Sequence, residues 1–321
     1  MMIHTPRLPH EARDELVSAG PFPVPAGAKV GIAHTIDGVA LRFALWRAAP
    51  PRRDALVLIL QGRTEFIERY SETIGLLLER GFDVLAFDWR GQGGSARLTS
   101  SFKKGHVDHF DDYGRDLDAI LTVADRDVSS NMRYALAHSM GGAILLNEMS
   151  KGRIGFDRAV LSAPMIGLSM VRMPRLAHVF ANIFSRLGFR QSYVPGGNDN
   201  PLMPFENNPL TPDALRFSIS RSILTVAPDL AIASPTIGWV KTSFDAMARL
   251  QYPNTAQKIS TPLLFIAGPK DRITDTRVTE TFVSHLQNGK LIMLDGAEHE
   301  ILLERDTLRQ QFWQAFDQFI G

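Results

Sequence analysis

A serine between an apolar run and two glycines is the first candidate for chemistry in this sequence. Ser139 follows the apolar segment 134–137 and precedes Gly141 and Gly142. A serine hydroxyl is a weak nucleophile, so hydrolases raise it on a sharp strand-to-helix turn with small residues two positions before and after it. Gly141 meets this requirement, and Ala137 adds one methyl group where the usual pattern has glycine. The pattern predicts a nucleophile elbow at Ser139.

A nucleophilic serine also needs a base, and an acid that orients the base. His299 follows the predicted strand 290–294, and Asp271 follows the predicted strand 262–267. Functional side chains in open α/β sheets come directly after the carboxyl ends of strands. The order serine, acid, histidine along the chain is also the order used with this kind of elbow. We therefore predict a catalytic triad of Ser139, Asp271 and His299.

Three other titratable side chains lie near these positions and are weaker candidates. Asp275 has the position of a helix N-cap, and Asp295 still belongs to the strand side of its turn. His138 is next to the serine, but neighbouring side chains of a strand point to opposite faces. We expect His138 to pack beneath the elbow rather than to act as the base.

The oxyanion of a tetrahedral intermediate requires two preorganised N–H donors. Met140 follows the nucleophile, and Arg63 lies in the loop after the predicted strand 55–60. Gly62 would allow the backbone to approach the site closely. We predict that the backbone N–H groups of Arg63 and Met140 form the oxyanion hole, with an ordinary strand-to-helix loop at 61–65 as the alternative.

Two further patterns are typical of other kinds of site. A GxGxxA pattern, as in dinucleotide-binding turns, occurs at Gly91, Gly93 and Ala96. The residues after it do not open a helix, and the next predicted strand ends in the elbow instead of a ribose-binding acid. Metal-ligating side chains occur together at His106, Asp108 and His109. A metal site normally needs a fuller cluster than this loop offers, so we expect neither cofactor nor metal.

The elements that position these residues alternate between strand and helix patterns. Residues 29–35 and 39–47 alternate apolar and polar side chains around Asp37-Gly38, which predicts a hairpin. Short apolar runs separated by helical periodicity follow at 55–60, 84–87, 134–137, 159–161, 262–267 and 290–294. This alternation predicts an α/β fold with a mostly parallel central sheet covered by helices on both faces.

The alternation stops between residues 165 and 250, where helical segments and a Pro-, Gly- and Asn-rich loop replace strands. We therefore predict an α/β core in two parts, residues 1–164 and 251–321, with a helical cap inserted at 165–250.

The first part of the predicted cap is basic and amphipathic. No acidic residue occurs between Met165 and Asn198. Helical spacing places apolar side chains on one face, at Leu176, Val179, Phe180, Ile183 and Leu187, and polar ones on the other, at Arg175, His178, Asn182 and Arg186. We expect the apolar face to line an acyl channel and the basic face to contact an anionic membrane or a lipid phosphate. A solvated basic face is the alternative.

Composition limits the class of protein. The chain has 321 residues, of which 45% are hydrophobic, a formal net charge of +1 and no cysteine. This charge offers no general attraction for nucleic acid, and the lack of cysteine excludes disulfides and thiolate metal sites. Residues 1–27 contain no apolar block typical of a signal peptide, and no run approaches the roughly 20 apolar residues of a spanning helix. We expect a soluble, cytoplasmic protein, with possible peripheral membrane contact through the cap.

These motifs together resemble the monoacylglycerol lipase and bacterial lysophospholipase branch of the α/β-hydrolases, grouped with serine aminopeptidase-like hydrolases. The resemblance covers most of the chain and includes Gln61-Gly62 with Glu65 and Tyr70, the segments 88–95 and 110–113, Asp116-Leu117, the elbow, and the segments 162–164 and 296–300. Pro235-Thr236 before Gly238-Trp239-Val240 resembles the lysophospholipase side of the branch. Gln61 stands where the family usually has histidine, and Ala137 where it has glycine.

The resemblance implies that the chain hydrolyses carboxylic esters of single-chain acyl lipids through an acyl-enzyme, as a lysophospholipase does. The predicted substrate contacts are Arg172, Arg175, Arg186 and Trp239. The arginines favour a lysophospholipid over a neutral monoacylglycerol. The alternatives are a monoacylglycerol lipase or general carboxylesterase, a non-catalytic lipid-binding protein, and a serine aminopeptidase of the same branch. An aminopeptidase would need cap acids such as Asp199, Glu206 and Asp213.

Overall fold

Eight strands form one sheet in a computed structural model of the chain, which describes residues 12–321. Part of the N-terminal segment discussed above, residues 1–11, lies outside this description. The strands are β1 (Lys29–His34), β2 (Ala40–Trp46), β3 (Ala55–Leu60), β4 (Asp83–Phe87), β5 (Met132–His138), β6 (Arg158–Ser162), β7 (Leu263–Ala267) and β8 (Gly289–Met293). Their order across the sheet is β1-β2-β4-β3-β5-β6-β7-β8. β1 and β2 are antiparallel to their neighbours and the remaining pairs are parallel, which confirms the predicted fold class.

The helices occupy the intervals between strands, close to the predicted positions. They are α1 (Ser71–Glu79), α2 (Asp112–Asp127), α3 (Ser139–Ser150), α4 (Pro174–Arg186), α5 (Ala214–Val226), α6 (Ile237–Leu250), α7 (Pro253–Ala256), α8 (Thr276–Ser284) and α9 (Asp306–Ile320). Short 3-10 turns occur at Ile67–Tyr70, Pro228–Leu230 and Ile301–Leu303. Residues 67–79 and residues 301–320 each contain a 3-10 turn followed by an α-helix.

Strand β3 shows how the sheet separates two cores. All of its side chains are apolar and buried. Leu56, Leu58 and Leu60 pack in the core that contains side chains of α2 and α3. Val57 and Ile59 point the other way, into the core that contains side chains of α1 and α9. A strand that buries both faces must be apolar throughout, which is why its pattern is continuous rather than alternating.

Residues 165–250 lie between β6 and β7 in the chain and contain α4, α5 and α6. Helix α6 packs against α3, which follows the elbow, and α4 packs on α6. Among the described residues, no helix is both long enough and apolar enough to cross a membrane.

Helix α4 turns its large apolar side chains away from the protein. Leu176, Ile183 and Leu187 are 61%, 51% and 64% exposed. The buried residues of the helix are instead the small Ala181 and Ser185, which allow α4 to approach α6 closely. The expectation that this apolar face lines an acyl channel is therefore wrong. Periodicity identifies which side chains share a face of a helix. In α4 the face that packs inward is the one that carries the small residues Ala181 and Ser185.

Candidate active site

The predicted elbow joins strand β5 directly to helix α3. Ser139 has a φ of 47°, a left-handed value that is uncommon for a residue with a side chain. A Cβ atom on Gly141 would lie 2.2 Å from the carbonyl oxygen of Leu60, so only glycine fits at that position. Ala137 is fully buried, and its methyl group is accommodated. The turn thus holds the serine in a strained conformation between two strand ends.

The structure brings the three predicted triad side chains into one hydrogen-bonded chain. His299 Nε2 is 3.1 Å from Ser139 Oγ. His299 Nδ1 is 2.8 Å from Asp271 Oδ2. Each residue follows a different strand of the parallel part of the sheet, β5, β7 or β8, so the three strand ends meet at one edge. Ser139 and His299 are only 9% and 3% exposed, so the arrangement is largely closed to water.

The surroundings of Asp271 keep its carboxylate ionised. Its Oδ1 accepts hydrogen bonds from the N–H groups of Ile273 and Thr274, at 2.7 and 2.9 Å. Its Oδ2 accepts one from the Thr274 hydroxyl at 2.6 Å. Burial alone would raise the pKa of Asp271, but these bonds and the bond to His299 outweigh it and lower the pKa. An ionised acid at this position holds the proton on His299 Nδ1 and leaves Nε2 free to accept one from the serine. Asp275 instead caps α8, as expected.

The two predicted oxyanion donors have N–H groups without protein acceptors. Met140 is the second residue of α3, and the first N–H groups of a helix have no acceptor within it. Within residues 12–321, the Arg63 N–H donates to no protein group. The next residue, Thr64, has a φ of 67°, which is strained for a β-branched side chain. Free donors beside a nucleophile, on a strained loop, are typical of an oxyanion hole.

The side chain of Arg63 turns toward the predicted cap. Its Nη2 donates to the carbonyl oxygen of Ala233 at 2.9 Å, and its guanidinium lies 4.8 Å from the Trp239 ring centroid. Burial lowers the pKa of Arg63 to about 10. Trp239 is itself buried, and its Nε1 is bonded to the hydroxyl of Tyr113. Trp239 therefore lies beside Arg63, in the loop that follows β3.

The three arginines predicted to contact substrate are exposed on and just before α4. Arg172, Arg175 and Arg186 form no ion pair with any described residue. Their charges are therefore not neutralised within the part of the chain that the structure describes.

A buried network of charges next to the triad was not predicted. Arg69 Nη2 is 2.8 Å from Glu300 Oε1, and its Nε is 3.1 Å from Glu65 Oε1. His138 Nε2 lies 3.4 Å from Glu300 Oε2. The sequence identifies Glu65 and Glu300 only as members of motifs, and it predicts that His138 packs beneath the elbow without assigning it a charged partner. A single sequence does not reveal that acids so far apart in the chain share one basic partner.

His138 is a charged member of this network rather than the base. Its Nδ1 lies 3.1 Å from the carbonyl oxygen of Ser162, and its ring centroid is 4.9 Å from that of His299. Burial alone would lower the pKa of His138, but the negative charges of Glu300 and Glu65 raise it to about 9. His138 is therefore protonated at neutral pH, and the pKa of Glu300 is correspondingly lowered.

Within residues 12–321, one group of three side chains has ligand atoms close enough to hold a metal ion, namely Glu65, His138 and Glu300. Arg69 already neutralises both carboxylates, and a protonated imidazole has no lone pair for a metal. The group therefore fits an internal ion-pair network better than a metal site.

The two motifs that are typical of other sites, the loop with the GxGxxA pattern and the group around His106, contact other residues of the protein. His106 Nδ1 is bonded to the Thr236 hydroxyl at 2.8 Å, and its Nε2 lies 3.5 Å from Asp108. The glycine-rich loop after β4 surrounds the Asp88 carboxylate, which accepts a hydrogen bond from the Gly94 N–H at 2.7 Å. That loop is therefore filled by a side chain of the protein at the position where a dinucleotide phosphate would be expected.

Comparison with known proteins agrees with this geometry. A family model described as "Serine aminopeptidase, S33" matches residues 51–306. Lysophospholipase L2 of Escherichia coli K12 is 33% identical over 295 residues, which cover 89% of this chain and 85% of that protein. A monoacylglycerol lipase of Mycolicibacterium smegmatis is 26% identical over 276 residues, which cover 84% of this chain and 89% of that protein.

Solved structures show the same fold at lower identity. A soluble variant of monoglyceride lipase from Saccharomyces cerevisiae, crystallised with a substrate analogue, superimposes with a TM-score of 0.72 at 20% identity. The match covers 93% of this chain and 98% of that chain. A thermostable carboxyl esterase from Bacillus coagulans, crystallised with glycerol, has a TM-score of 0.74 at 17% identity, over 92% and 98% of the two chains.

Proposed function

The chain belongs to the serine aminopeptidase S33 family of α/β-hydrolases, and from this membership we propose that it is a lipid ester hydrolase that acts as a lysophospholipase. The observation that carries the proposal is the hydrogen-bonded chain from Ser139 through His299 to Asp271. The names of its relatives, lysophospholipase and monoacylglycerol lipase, both denote enzymes that cleave single-chain acyl esters. Identity to lysophospholipase L2 is 33%, against 26% to the monoacylglycerol lipase, and this supports the lysophospholipid over the neutral glyceride.

In the proposed reaction, Ser139 Oγ attacks the ester carbonyl carbon while its proton passes to His299 Nε2. The N–H groups of Arg63 and Met140 bind the oxyanion, and the ionised Asp271 stabilises the imidazolium that forms. Collapse of the intermediate breaks the ester bond, and the imidazolium protonates the departing glycerol oxygen. Water then attacks the acyl-enzyme with His299 as base, which releases the fatty acid and restores the serine.

Two of the three cap acids that an aminopeptidase would need are bonded to other residues of the cap, whereas Glu206 is exposed and has no ion pair among the described residues. Of the three cap acids, Asp213 accepts a hydrogen bond from the Arg216 N–H at 2.9 Å and so caps α5. Asp199 is hydrogen-bonded to the Tyr193 hydroxyl. These contacts favour ester hydrolysis, because a peptide amino terminus needs an available carboxylate.

Turnover of matched substrates tests this proposal. We expect hydrolysis of lysophosphatidyl substrates and of a short p-nitrophenyl ester, with little on aminoacyl substrates. Ser139→Ala should lower kcat by about 10⁴-fold or more and should remove labelling by an active-site fluorophosphonate. Ser243→Ala is the matched control, since Ser243 is a buried serine on α6 whose hydroxyl has no hydrogen-bond partner among the described residues. Turnover of the aminoacyl substrate alone, or unchanged turnover in Ser139→Ala, would contradict the proposal.

Residues 165–250 are proposed to act as a cap that covers this site. Ala233 and Trp239, both from this segment, contact the side chain of Arg63. Arg63 belongs to residues 61–65, which we call the oxyanion loop. A cavity of about 80 Å³ lies between Thr64 of the core and side chains of the segment that include Leu202 and Phe217. The cap therefore forms walls beside Arg63 and Thr64, in the loop that carries a proposed oxyanion donor, where it can select the substrate.

The exposed face of α4 is proposed to dock on an anionic lipid surface. Its outward side chains are large and apolar, its flank carries Arg175 and Arg186, and no acid lies between residues 165 and 198. Interfacial helices combine these features, with the apolar side inserted among lipids and the basic flank near the headgroups. Charge complementarity therefore selects an anionic bilayer as the partner. We propose peripheral attachment on the cytoplasmic side, where a protein without cysteine needs no oxidising compartment.

A further inference from the structure

The oxyanion loop contains two successive peptide groups with different environments. In the first, Gln61–Gly62, the carbonyl oxygen accepts a hydrogen bond from Trp89 Nε1 at 2.9 Å, and the N–H donates to Glu65 Oε2. The same Glu65 oxygen accepts a bond from the Tyr70 hydroxyl at 2.6 Å. This peptide is therefore held at both ends by protein groups.

The second peptide, Gly62–Arg63, is held at one end only. Its carbonyl oxygen accepts a hydrogen bond from Gln92 Nε2 at 2.9 Å. The same nitrogen donates to the carbonyl oxygen of Glu65 at 3.1 Å, so one carboxamide clamps both sides of the loop. In a trans peptide the C=O and N–H groups point in opposite directions. The bond from Gln92 therefore turns the Arg63 N–H toward the side where no protein acceptor is present.

Gln92 has no other evident function at this position. It is buried, and it lies in the glycine-rich loop after β4, which is adjacent to β3 in the sheet. Steric constraint reinforces its contact, because a Cβ atom on Gly62 would come within 2.8 Å of Glu65 Oε2 and 3.0 Å of the His138 ring. Little space is therefore left around Gly62, and this crowding restricts rotation of the peptide that Gln92 holds.

We propose that Gln92 is a positioning residue of the oxyanion hole, which fixes the Gly62–Arg63 peptide so that the Arg63 N–H faces the developing oxyanion. This inference rests on the proposed function, because it assumes that Ser139 is the nucleophile. Gln92 contacts no reacting atom and acts only through the peptide it holds. Its effect should be specific to the transition state and the tetrahedral intermediate, since the bound substrate carries no oxyanion.

The variant Gln92→Met tests this, because methionine has nearly the same shape as glutamine and no donor. Removing one oxyanion donor outright typically costs 10²–10³-fold in kcat, so losing only its alignment should cost about 10- to 100-fold. KM for a lysophosphatidyl substrate should stay within about twofold. Affinity for an acyl trifluoromethyl ketone, which forms an oxyanion on the serine, should fall by the same factor as kcat. Affinity for an alkyl ether analogue, which has no carbonyl group, should not change.

The matched control is Gln251→Met, which removes a similar bond from a side-chain amide to a backbone carbonyl, that of Ile166 at 2.8 Å. Gln92→Leu serves as a second variant that also removes the donor, in case the methionine destabilises the chain. Wild-type kcat and ketone affinity in a folded Gln92 variant would overturn the inference. Equal losses for the ketone and the ether analogue would also overturn it, since they indicate general damage. Fluorophosphonate labelling of Ser139 in the wild type separates these results from failure of the proposed function, which would abolish labelling altogether.

Discussion

Backbone strain and buried charge occur together around Ser139. Ser139 and Thr64 both hold left-handed φ values, each of which costs about 1–3 kcal/mol for a non-glycine residue. Such conformations persist only when surrounding contacts determine them. Here the close approach of Gly141 to β3 and the bond from Gly62 to Glu65 provide those contacts. Strain at both Ser139 and Thr64 supports the proposal that the two positions are preorganised for one reaction.

Protonation of His138 should make stability fall as pH rises. Its pKa is about 9 in the folded chain and about 6.5 when unfolded, so between these values the folded state binds more protons. The stabilisation is fully present below about pH 6.5 and is lost as pH rises through about 9. We expect the free energy of unfolding of the wild type to decrease over this range by a few kcal/mol more than that of His138→Gln. Urea denaturation at pH 6, 7.5 and 9.5 measures this difference.

The control for this measurement is His34→Gln, which changes an exposed histidine on β1. It should keep the wild-type dependence of stability on pH. Parallel curves for the wild type and His138→Gln would contradict the prediction, because they would show that folding does not change the pKa of His138.

Among the elements, α4 shows the limit of prediction from periodicity. The periodicity correctly placed its large apolar side chains on one face. The usual assumption that the apolar face turns inward was wrong for α4, because Ala181 and Ser185 pack against α6 instead. The direction in which an amphipathic face points depends on its neighbours in space, which a single sequence does not contain.

Two changes to α4 should weaken lipid binding in different ways. Leu176→Ser with Ile183→Ser removes apolar contact, so binding to all vesicles should fall by about tenfold. Neutralising Arg172, Arg175 and Arg186 together should remove roughly 1 kcal/mol of binding free energy per charge, which lowers the affinity for phosphatidylglycerol vesicles by about 100-fold. Binding to zwitterionic vesicles should not change. Co-sedimentation with anionic and zwitterionic vesicles distinguishes these effects.

Matched controls for these variants come from exposed apolar side chains elsewhere, Ile36 and Val226, which are 95% and 60% exposed. Replacing both with serine should leave vesicle binding unchanged. The arginine variant should hydrolyse anionic lysolipids more slowly and a short soluble ester at the normal rate. Equal loss on both substrates would argue against a role for these charges in lipid recognition.

At the scale of the whole molecule, one residue ties the cap segment to the core. Arg216 of α5 donates to both Glu72 carboxylate oxygens of α1 at 2.8 Å and to Asp306 of α9 at 2.6 Å. Its side chain is nearly buried, and removing one partner of a buried pair leaves charge uncompensated. Because Arg309 also contacts Glu72, part of that charge stays neutralised. Arg216 is thus a connection between three elements that are distant in sequence.

Arg216→Met should therefore lower the free energy of unfolding by about 2–4 kcal/mol, measured by urea denaturation. Arg221→Met, on the same helix, is the matched control, because Arg221 is exposed and has no ion pair among the described residues. It should change stability by less than about 0.5 kcal/mol. Similar small effects in both variants would show that α5 is held mainly by apolar packing.

The arrangement of the triad could be predicted because each of its residues follows its own strand. Strand ends are recognisable in a sequence, and a parallel sheet brings them to one edge. The contact of Gln92 with Gly62 could not be predicted in this way, because it joins side chain and backbone across two loops. It depends on the adjacency of β3 and β4 and on the path of each loop. The roles of Glu65 and Glu300 were missed for the same reason.

The link between the loops after β3 and β4 has a consequence for protein engineering. Residues 61–65 depend on Trp89 and Gln92 for the orientation of their peptide groups. Consider a chimaera that receives residues 61–65 from a relative but not the relative's loop after β4. It would contain all the proposed catalytic groups, but the N–H at the position of Arg63 would point in the wrong direction. The two loops should therefore be transplanted together, as a single module that spans the ends of neighbouring strands.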